Sequence, residues 1–566
     1  MVAVAPMDRL GQPARLRVGM LLILSLVIGC SSDSGPVAKP EPDVPTVTLK
    51  VEYGSEKKAW LEAEIAAFEA TSPTIADGRH IEVEAHGQGS GEAMLDILSG
   101  KAQPDVFSPA SSAYLSLLDD AWIAKGEKSR ICGPGEPILL SPVVIAMWKP
   151  MAEALGWPAK RLGWTDILDV SANHKGWDAF GHPEWGFFKL AHTHPGLSNS
   201  GLLAVLAEAY AGAGKTRGLT LEDLNGPEVA TFLDKVEGSI VHYGKSTSFL
   251  ADKMRERGPG YVSAAVVYES VVVDSYSHPE EMPIVAIYPT EGTFWSDHPW
   301  SVLQASWVGD EKKQAAAKLF DFLKSRPAQD AAMAAGFRPA DPAIAMAAPL
   351  DSAHGVDPKE PQTLLDVPDG ATLGGVVAAW EAHKKTSDVV LVFDKSGSMQ
   401  GDPMASAKEG ARVFLQNLSD KDRVSIEFFD NNVAAPTPYI ALGGGGREQL
   451  GATVSGAVAD GGTSMYDALL AAVNTAERDV AANPRDIHAV VVMTDGRDES
   501  SQTTLDDTLA KLNARGEANV KVFTIAYGSK ADPAVLAQLA EAGRGSTAAG
   551  TSEDIQSVFR DMAAFF

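Results

Sequence analysis

The sequence predicts an α/β protein with two folded parts, each built around a largely parallel sheet that carries helices on its faces. A length of 566 residues is more than a single hydrophobic core supports. Short apolar runs of strand length alternate along the chain with segments whose apolar residues recur at helical spacing, an order typical of α/β folds. A stretch rich in Pro, Asp and Ala, residues 340–371, divides these elements into two series and predicts an interdomain connection.

Composition and charge exclude two broad classes of protein. Apolar residues make up 45% of the chain and charged residues 22%, which indicates a globular protein rather than a disordered one. The chain has 48 Lys and Arg against 74 Asp and Glu, so its formal net charge is −26. Such a surface repels phosphate backbones, and we therefore expect no nucleic-acid partner.

The N-terminal segment predicts export. Arg9, Arg15 and Arg17 precede an apolar run at residues 18–28. At about 1.5 Å per residue, this run is too short to span the roughly 30 Å hydrocarbon core of a bilayer comfortably. It ends at Cys30 and resembles a bacterial lipobox, in which the cysteine is lipidated and becomes the first residue of the mature protein.

The lipobox resemblance implies that residues 1–30 are a lipoprotein signal peptide, which does not belong to the fold. Residues 31–45, rich in Ser and Pro, then form a flexible tether. We expect an extracytoplasmic lipoprotein anchored to a membrane, in the periplasm or at the cell surface. A simple signal peptide or a short anchor is the alternative.

The first folded part begins with regular alternation of predicted strands and helices. The predicted strands are residues 46–53, 81–85, 104–107, 142–148, 186–190, 261–268 and 282–288. The predicted helices are residues 57–69, 92–99 and 311–325. This order favours a doubly wound sheet with helices on both faces.

Several short sequences in this part, taken in order, resemble a bacterial extracellular solute-binding protein of the kind associated with ABC transporters. They are Gly54-Ser55, Gly89-Ser90-Gly91, Pro104-Asp105-Val106, Ser141-Pro142, PGLSNSG at residues 195–201, and Gly336-Phe337-Arg338-Pro339. The resemblance covers residues 46–345. It implies a two-lobed fold, like that of periplasmic binding proteins, which holds a small polar or anionic solute between its lobes.

The candidate solute-binding residues are hydroxyl-bearing and polar residues near predicted helix starts, with two further candidates behind them. They are Ser55, Ser90, Ser141, Ser198, Asn199, Ser200, Tyr268 and Glu269. Hydroxyls and backbone N–H groups at helix starts favour an anion or a polar solute. The alternative is that these serines and the asparagine only cap helices.

Three histidines invite comparison with a zinc site. His182, His192 and His194 lie close together in the sequence, yet no acidic or thiol residue is spaced with them as a further ligand. We therefore expect them to be surface histidines.

A linker and a connecting helix, residues 346–386, lead to the second folded part. Residues 373–385 predict one helix, with Val376, Val377 and Trp380 on its apolar face. We expect Trp380 to pack between domains or under the second sheet.

The second part, residues 387–566, opens on an apolar strand that breaks into Asp394-Lys395-Ser396-Gly397-Ser398. A carboxylate followed by two hydroxyls at alternate positions, on a turn that glycine allows to bend tightly, aims three oxygens at one point. Oxygen donors without thiolate or imidazole favour Mg²⁺, with Mn²⁺ and Ca²⁺ as alternatives.

Two further segments predict side chains at the same place. A second apolar run, residues 488–494, ends at Asp495, and a glycine-rich loop places Thr463 at a helix start. In an open parallel sheet, the ligand site lies beyond the carboxyl ends of the strands.

The remaining elements of this part also alternate. Predicted strands are residues 423–429 and 521–527, with residues 438–442 as an antiparallel edge strand; predicted helices are residues 405–418, 448–459, 464–480, 505–515, 533–542 and 552–565.

Asp394, Ser396, Ser398, Thr463 and Asp495, in this order, resemble the metal-ion-dependent adhesion site of von Willebrand factor type A domains. The resemblance implies a doubly wound domain with a six-stranded, mostly parallel sheet. It also implies Mg²⁺-dependent binding of a protein that offers an acidic side chain to the metal. Lys395 is expected to point to solvent beside the site.

Three functional hypotheses follow. The leading one is a lipid-anchored, non-enzymatic protein that combines a solute-binding cleft with a metal-dependent protein-binding domain. The second is a transport receptor that hands solute to a permease and uses its C-terminal domain for docking. The third is a metal-dependent hydrolase, for which the common hydrolase signatures are missing from the sequence.

Overall fold

The structure is a computed structural model that describes residues 45–278, 282–515 and 520–566. The predicted signal peptide, most of the predicted tether and the predicted lipidation site Cys30 lie outside these residues. The described part of the chain carries three β-sheets, two in the first folded part and one in the second.

Two sheets form the two lobes of the first part. Its described strands are β1 (Thr46–Gly54), β2 (His80–Gln88), β3 (Val106–Ser108), β4 (Glu136–Pro137), β5 (Leu139–Trp148), β6 (Leu190–Thr193), β7 (Ile240–Gly244), β8 (Ala264–Tyr268), β9 (Ile284–Ile287), β10 (Trp295–Ser296), β11 (Pro299–Val302) and β12 (Arg338–Pro339). The first sheet has the order β2-β1-β3-β11-β4, and the second has the order β10-β5-β8-β6-β7, with β9 and β12 also paired to β5. The chain thus leaves the first lobe after β4 and returns to it at β11.

Helices cover both sheets of this part. They are α1 (Lys58–Ala70), α2 (Ser90–Ser99), α3 (Ala113–Ala124), α4 (Lys149–Ala154), α5 (Trp164–Ser171), α6 (Asn199–Ala213), α7 (Leu221–Leu224), α8 (Pro227–Glu237), α9 (Thr247–Arg257), α10 (Glu269–Ser275), α11 (Asp310–Leu323) and α12 (Arg326–Ala334). Helix α6 is the most deeply placed, because its residues from Asn199 to Tyr210 are all buried. The predicted strand at residues 186–190 is wrong. The strand in this region is β6, which lies between β7 and β8, and its pairing with both begins only at Leu190.

The connecting helix, α13 (Gly370–His383), packs against the first part. Its first turn is capped by Asp369, whose carboxylate accepts a hydrogen bond of 2.8 Å from Thr372 N. Trp380 is fully buried, and its ring meets those of Tyr243 and His194 edge-on at centroid distances of 5.0 and 4.6 Å. The helix is therefore an integral element of the fold and not a free spacer.

The second part is built on a six-stranded sheet with the order β15-β14-β13-β16-β17-β18. Its strands are β13 (Ser387–Asp394), β14 (Arg423–Phe429), β15 (Ile440–Ala441), β16 (Ile487–Thr494), β17 (Val520–Tyr527) and β18 (Arg544–Gly550). Its helices are α14 (Asp402–Asn417), α15 (Gly446–Ser455), α16 (Met465–Ala482), α17 (Leu505–Asn513), α18 (Pro533–Ala542) and α19 (Ile555–Ala563).

All pairs in this sheet are parallel except the edge pair of β14 and β15. Every residue of β13 and β16 is buried, because helices cover both faces of the sheet. The predicted doubly wound, mostly parallel sheet of six strands is confirmed. The antiparallel edge strand was also predicted, whereas β18 was not assigned.

Candidate metal centre and solute cleft

The ends of two neighbouring strands carry the predicted carboxylates of the metal site. β13 and β16 run parallel in the middle of the sheet, with Phe393 opposite Met493. Asp394 is the last residue of β13, and Asp495 follows directly after β16. Because parallel strands end at the same edge of a sheet, the fold brings together two carboxylates that are distant in sequence.

Backbone hydrogen bonds join the three loops at this edge. Gly397 N donates to Gly461 O over 2.9 Å, and Asp460 N donates to the carbonyl of Lys395 over 2.8 Å. Glu499 N, in the loop after β16, donates to Thr463 O over 3.0 Å. The loop that carries Thr463 is therefore bonded both to the turn after β13 and to the loop after β16.

The hydroxyl and carboxylate oxygens of these loops approach one another closely. Ser396 Oγ lies 2.9 Å from Ser398 Oγ, and Ser398 Oγ donates to Asp495 Oδ1 over 2.6 Å. A Cβ atom at Gly496 would come within 3.3 Å of Thr463 Oγ1 and 3.6 Å of Ser398 Oγ. Four of the five predicted residues thus border one small space, which the lack of a side chain at Gly496 leaves open.

The fifth residue, Asp394, is buried and held from two sides. Its Oδ1 accepts from Ser396 N over 2.7 Å, and its Oδ2 accepts from Thr494 Oγ1 over 2.6 Å. The Ser396 contact makes Asp394 part of the same turn as the two serines. Thr494 was not singled out from the sequence, although it immediately precedes Asp495.

Burial sets the electrostatics of this site. It raises the pKa of Asp394 above its ordinary value; the charge of Asp495 adds to the effect, and the hydrogen bond from Thr494 opposes it. Burial also raises the pKa of Asp495, against the hydrogen bond from Ser398 and the charge of Lys530. Two desolvated carboxylates beside three hydroxyls form an all-oxygen donor set, and such a set fits a hard divalent cation.

The sequence predicted that Lys395 points to solvent, but in the structure its side chain is held by an ion pair. Its ammonium group forms an ion pair with Asp430, in the loop after β14. The backbone carbonyl of Asp430 accepts from Ser464 N over 2.8 Å. The ion pair thus links the end of β14 to the site. It also compensates the positive charge of Lys395, which would otherwise oppose the binding of a cation.

Two of the predicted solute residues lie in one buried polar network, whose members belong to the second lobe. Asn199, at the start of α6, donates from Nδ2 to Tyr268 OH over 2.9 Å and to Ser296 Oγ over 3.2 Å. Among the described residues, its Oδ1 is buried without a hydrogen-bond partner. Ser296 was missed because it lies in a two-residue strand, β10, that has no recognisable pattern.

The lobes meet beside this network. Gly91 N and Glu92 N, at the start of α2, both donate to Leu197 O, over 2.9 and 3.2 Å. Ser90 Oγ accepts from Ala110 N over 3.0 Å and so binds within its own lobe. Helix α2 therefore directs its N–H groups at the loop that leads into α6.

The other predicted solute residues are placed in different ways. Ser200 Oγ lies 2.8 Å from Thr247 Oγ1, and Ser141 Oγ accepts from Ser270 N over 3.3 Å. Ser198 is buried, with no side-chain bond to the start of α6, so it does not cap that helix. Ser55 is half-buried, and its carbonyl accepts from Ser248.

Glu269 is engaged by the protein itself. Its Oε1 accepts from Arg338 Nε over 2.7 Å, its Oε2 accepts from Arg338 Nη2 over 2.5 Å, and Tyr288 OH also donates to it. The carboxylate is fully buried. This bidentate pair links α10 to β12 and satisfies the charge of Glu269 without a solute.

A further buried cluster near Tyr268 was not predicted. Lys57 Nζ lies 3.0 Å from Glu56 Oε1, and His298 Nδ1 lies 3.1 Å from the same oxygen. All three side chains are buried, and the ring of His298 meets that of Tyr268 edge-on at 5.9 Å. Burial lowers the pKa of His298, and its hydrogen bond to Glu56 opposes this effect. Nothing in the short sequence Ser55-Glu56-Lys57 signals this arrangement.

Comparison with protein families assigns both parts of the chain. Residues 49–338, just over half of the chain, match the bacterial extracellular solute-binding protein family. Residues 388–561 match the von Willebrand factor type A domain. Both are families of binding or adhesion type.

Curated relatives match the C-terminal part. Inter-alpha-trypsin inhibitor heavy chain H2 of Mus musculus is 24% identical over 172 residues, which are 28% of this chain and 17% of that protein. An uncharacterized protein of Synechocystis, sll0103, is 26% identical over 160 residues, which are 28% of this chain and 36% of that protein. The chain thus spans well under half of the length of these relatives.

Solved structures resemble each part separately. A periplasmic thiamin binding protein is 13% identical with a TM-score of 0.43, and the match covers 62% of this chain and 99% of that one. A von Willebrand factor type A protein from Catenulispora acidiphila is 24% identical with a TM-score of 0.28, and the match covers 32% of this chain and 42% of that one.

Across the described residues, every helix is too short or too polar to cross a bilayer. The solute-binding family is extracellular or periplasmic. From the match over residues 49–338, together with the two-lobed fold, the chain belongs to the bacterial extracellular solute-binding proteins and carries a von Willebrand factor type A domain in its C-terminal part.

Proposed function

We propose that this chain is a lipid-anchored, extracytoplasmic binding protein that holds a small solute in its first domain and a protein partner on its second. In this proposal, the domains are residues 46–345 and 387–566, joined by residues 346–386. The lipid is carried by Cys30, and exchange of this cysteine for serine releases the protein from membranes.

The metal centre of the C-terminal domain consists of Asp394, Ser396, Ser398, Thr463 and Asp495. The observation that carries this proposal is the approach of hydroxyl and carboxylate oxygens from three loops, with Ser398 Oγ 2.9 Å from Ser396 Oγ and 2.6 Å from Asp495 Oδ1. Von Willebrand factor type A domains commonly bind a divalent metal. Mg²⁺ fits the all-oxygen set best, with Mn²⁺ and Ca²⁺ as substitutes.

The residues of this centre determine what it binds. Three of the five side chains are neutral hydroxyls, so they contribute oxygens without negative charge. Asp394 is already held by Ser396 N and Thr494 Oγ1. When bound, the cation supplies an under-compensated positive charge that attracts an outside carboxylate. We therefore propose a protein partner that offers a Glu or Asp side chain.

The solute site lies where Asn199 meets Tyr268 and Ser296. Asn199 Oδ1 offers a buried acceptor, and the N–H groups at the start of α2 lie next to the same interlobe contact. The Lys57–Glu56 pair adds no net charge. These features favour a small polar solute that donates hydrogen bonds, and a solute with an anionic group is the alternative.

Titration of the purified chain with Mg²⁺ in a calorimeter tests the metal centre. Asp394→Ala removes a charged ligand, and we expect Mg²⁺ binding to be lost while the protein stays folded. Asp506→Ala is the matched control, because Asp506 is an exposed aspartate of the same domain on helix α17. Equal Mg²⁺ affinity in the Asp394→Ala variant and the control would refute the proposed centre.

A further inference from the structure

A second cluster of metal-binding side chains lies within the solute-binding domain, far in sequence from the proposed Mg²⁺ site. It consists of His192 on β6, Glu208 on α6 and Glu237 at the end of α8. Each of the three offers a ligand atom, and these atoms lie within 4.8 Å of one another. All three side chains are fully buried. The expectation that His192 is a surface histidine is therefore wrong.

The hydrogen bonds of His192 determine which ring nitrogen carries a proton. Nδ1 lies 2.8 Å from Thr193 O, and a carbonyl only accepts, so Nδ1 is the donor. In the neutral ring, Nε2 then carries a lone pair, and this nitrogen lies 3.1 Å from Glu237 Oε1. A lone pair facing a carboxylate oxygen at this distance is repulsive unless a cation or a proton lies between them.

Glu237 is oriented from its other side. Tyr243 OH donates to Glu237 Oε2 over 2.7 Å, which fixes the carboxylate with Oε1 toward the histidine. Metal-binding histidines typically donate their second N–H to a carbonyl, and metal-binding carboxylates are typically hydrogen-bonded in turn. His192 and Glu237 show both arrangements.

The carboxylate of Glu208 gives evidence for a bound cation that does not depend on the geometry of His192 and Glu237. Among the described residues, neither of its carboxylate oxygens has a hydrogen-bond partner, although both are buried. A buried carboxylate without a partner is strongly unfavourable. Lys385 acts electrostatically on Glu237, but its ammonium donates to Ile240 O over 2.8 Å. Glu208 therefore has no compensation from the protein that the described residues reveal.

A similar group of side chains in the C-terminal domain differs from this cluster in how its charge is compensated. Asp388, Asp479 and His488 also lie within ligand distance of one another. There, however, Arg423 forms ion pairs with Asp388 at 2.5 Å and with Asp479 at 2.7 Å. A protein cation already compensates that group, whereas among the described residues neither glutamate of the group around Glu208 forms an ion pair with a lysine or an arginine.

We propose that His192, Glu208 and Glu237 bind one divalent transition-metal ion, with Zn²⁺ as the representative. One imidazole nitrogen and two carboxylates suit Zn²⁺ or a neighbouring first-row ion better than Mg²⁺ or Ca²⁺, which prefer oxygen alone. Two glutamates and one divalent ion also sum to zero charge, which a buried site requires.

The site has a structural role. Its ligands come from one strand and two helices of the second lobe, so one ion fastens three elements together. Tyr243, which orients Glu237, also packs its ring against Trp380 of α13. Occupation of the site thus stabilises the surface on which the connecting helix rests.

The test uses the full chain, refolded from denaturant with ZnSO₄ so that the ion can reach a buried site. After removal of free metal, elemental analysis is expected to give about one more zinc per wild-type chain than per Glu208→Gln chain, whatever zinc the C-terminal centre retains in both. Glu228→Gln is the matched control, because this glutamate is exposed on α8, and it should keep its zinc.

Thermal unfolding gives a second readout that a folding defect would not mimic. Without metal, Glu208→Gln removes a buried charge, so the variant should melt at or above the wild-type temperature. With Zn²⁺ the order should reverse, because only the wild type gains stability.

Refolding with Co²⁺ supplies an optical signal from the wild-type chain alone, namely visible absorption bands of a nitrogen–oxygen site. A wild-type chain without zinc and without these bands would overturn the proposal and indicate a protonated glutamate instead. Equal zinc in Glu208→Gln and the wild type would also overturn it.

Discussion

Glu427 provides a test of the electrostatics of the C-terminal domain. It lies on β14 opposite Val392, is fully buried, and among the described residues neither carboxylate oxygen has a hydrogen-bond partner. Burial raises its pKa from 4.5 to about 8. At neutral pH, folding must therefore protonate this side chain.

The size of the effect follows from proton linkage. The pKa of Glu427 is higher in the folded state than in the unfolded state. Its contribution to the free energy of unfolding is therefore fully present below pH 4.5 and is lost as the pH rises to about 8. Each pH unit in this interval costs about 1.4 kcal/mol. At pH 7 the penalty on the free energy of unfolding is therefore about 3 kcal/mol.

Glu427→Gln keeps the size of the side chain and removes the ionisable group. We expect it to raise the free energy of unfolding by about 3 kcal/mol at pH 7 and by almost nothing at pH 4. Urea unfolding at several pH values, followed by a signal from the C-terminal domain, measures the difference. The exposed Glu448→Gln is the control. A gain that is equal at pH 4 and pH 7, or absent at both, would refute the reasoning.

Two further predictions concern the first domain and its connecting helix. Asn199→Leu removes the Oδ1 acceptor proposed for the solute, together with the donor to Tyr268 OH and Ser296 Oγ. We expect at least a tenfold loss of affinity, about 1.4 kcal/mol, for a solute found by thermal-shift screening. The exposed Asn225→Ala should bind that solute normally, and unchanged binding by Asn199→Leu would place the site elsewhere. Trp380→Ala empties a fully buried site against Tyr243 and should lower the free energy of unfolding by about 3–5 kcal/mol in urea titrations. Trp380→Phe should lose less, and a loss below about 1 kcal/mol in Trp380→Ala would contradict the packing described here.

The C-terminal domain was the more predictable of the two. Strand β14 and helix α18 begin and end where the apolar pattern places them. The central strands are continuous apolar runs because both of their faces are covered. Strand β18 escaped prediction because its sequence, RGSTAAG, consists mostly of small residues without strand preference.

The grouping of the five metal-site candidates could be predicted because they follow strand ends or begin a helix of one parallel sheet. In such a sheet the carboxyl ends of the strands lie at one edge, so a residue that follows a predicted strand can be placed at that edge from its local sequence alone. Lys395 was placed wrongly because its partner, Asp430, lies after a different strand.

The buried cluster that includes His192 could not be predicted, although some other buried polar residues of the solute-binding domain, such as Asn199 and Tyr268, were candidates. His192, Glu208 and Glu237 lie on three elements, and no local spacing connects them. Only the packing of α6 and α8 against β6 brings the side chains together. The same holds for Glu427, whose alternating strand predicts an exposed side chain until helices are placed on both faces.

The measurement that tests the central claim most directly is an anomalous difference map from a crystal of the chain soaked in Mn²⁺. We predict a peak at the edge of the C-terminal sheet, with Ser396 Oγ, Ser398 Oγ and an oxygen of Asp495 within about 2.0–2.6 Å of the ion or of its bound waters. The Asp394→Ala variant should lack this peak. A map without density there, or with manganese bound only by His192 and its two glutamates, would contradict the proposal that the C-terminal domain binds its partner through a metal ion.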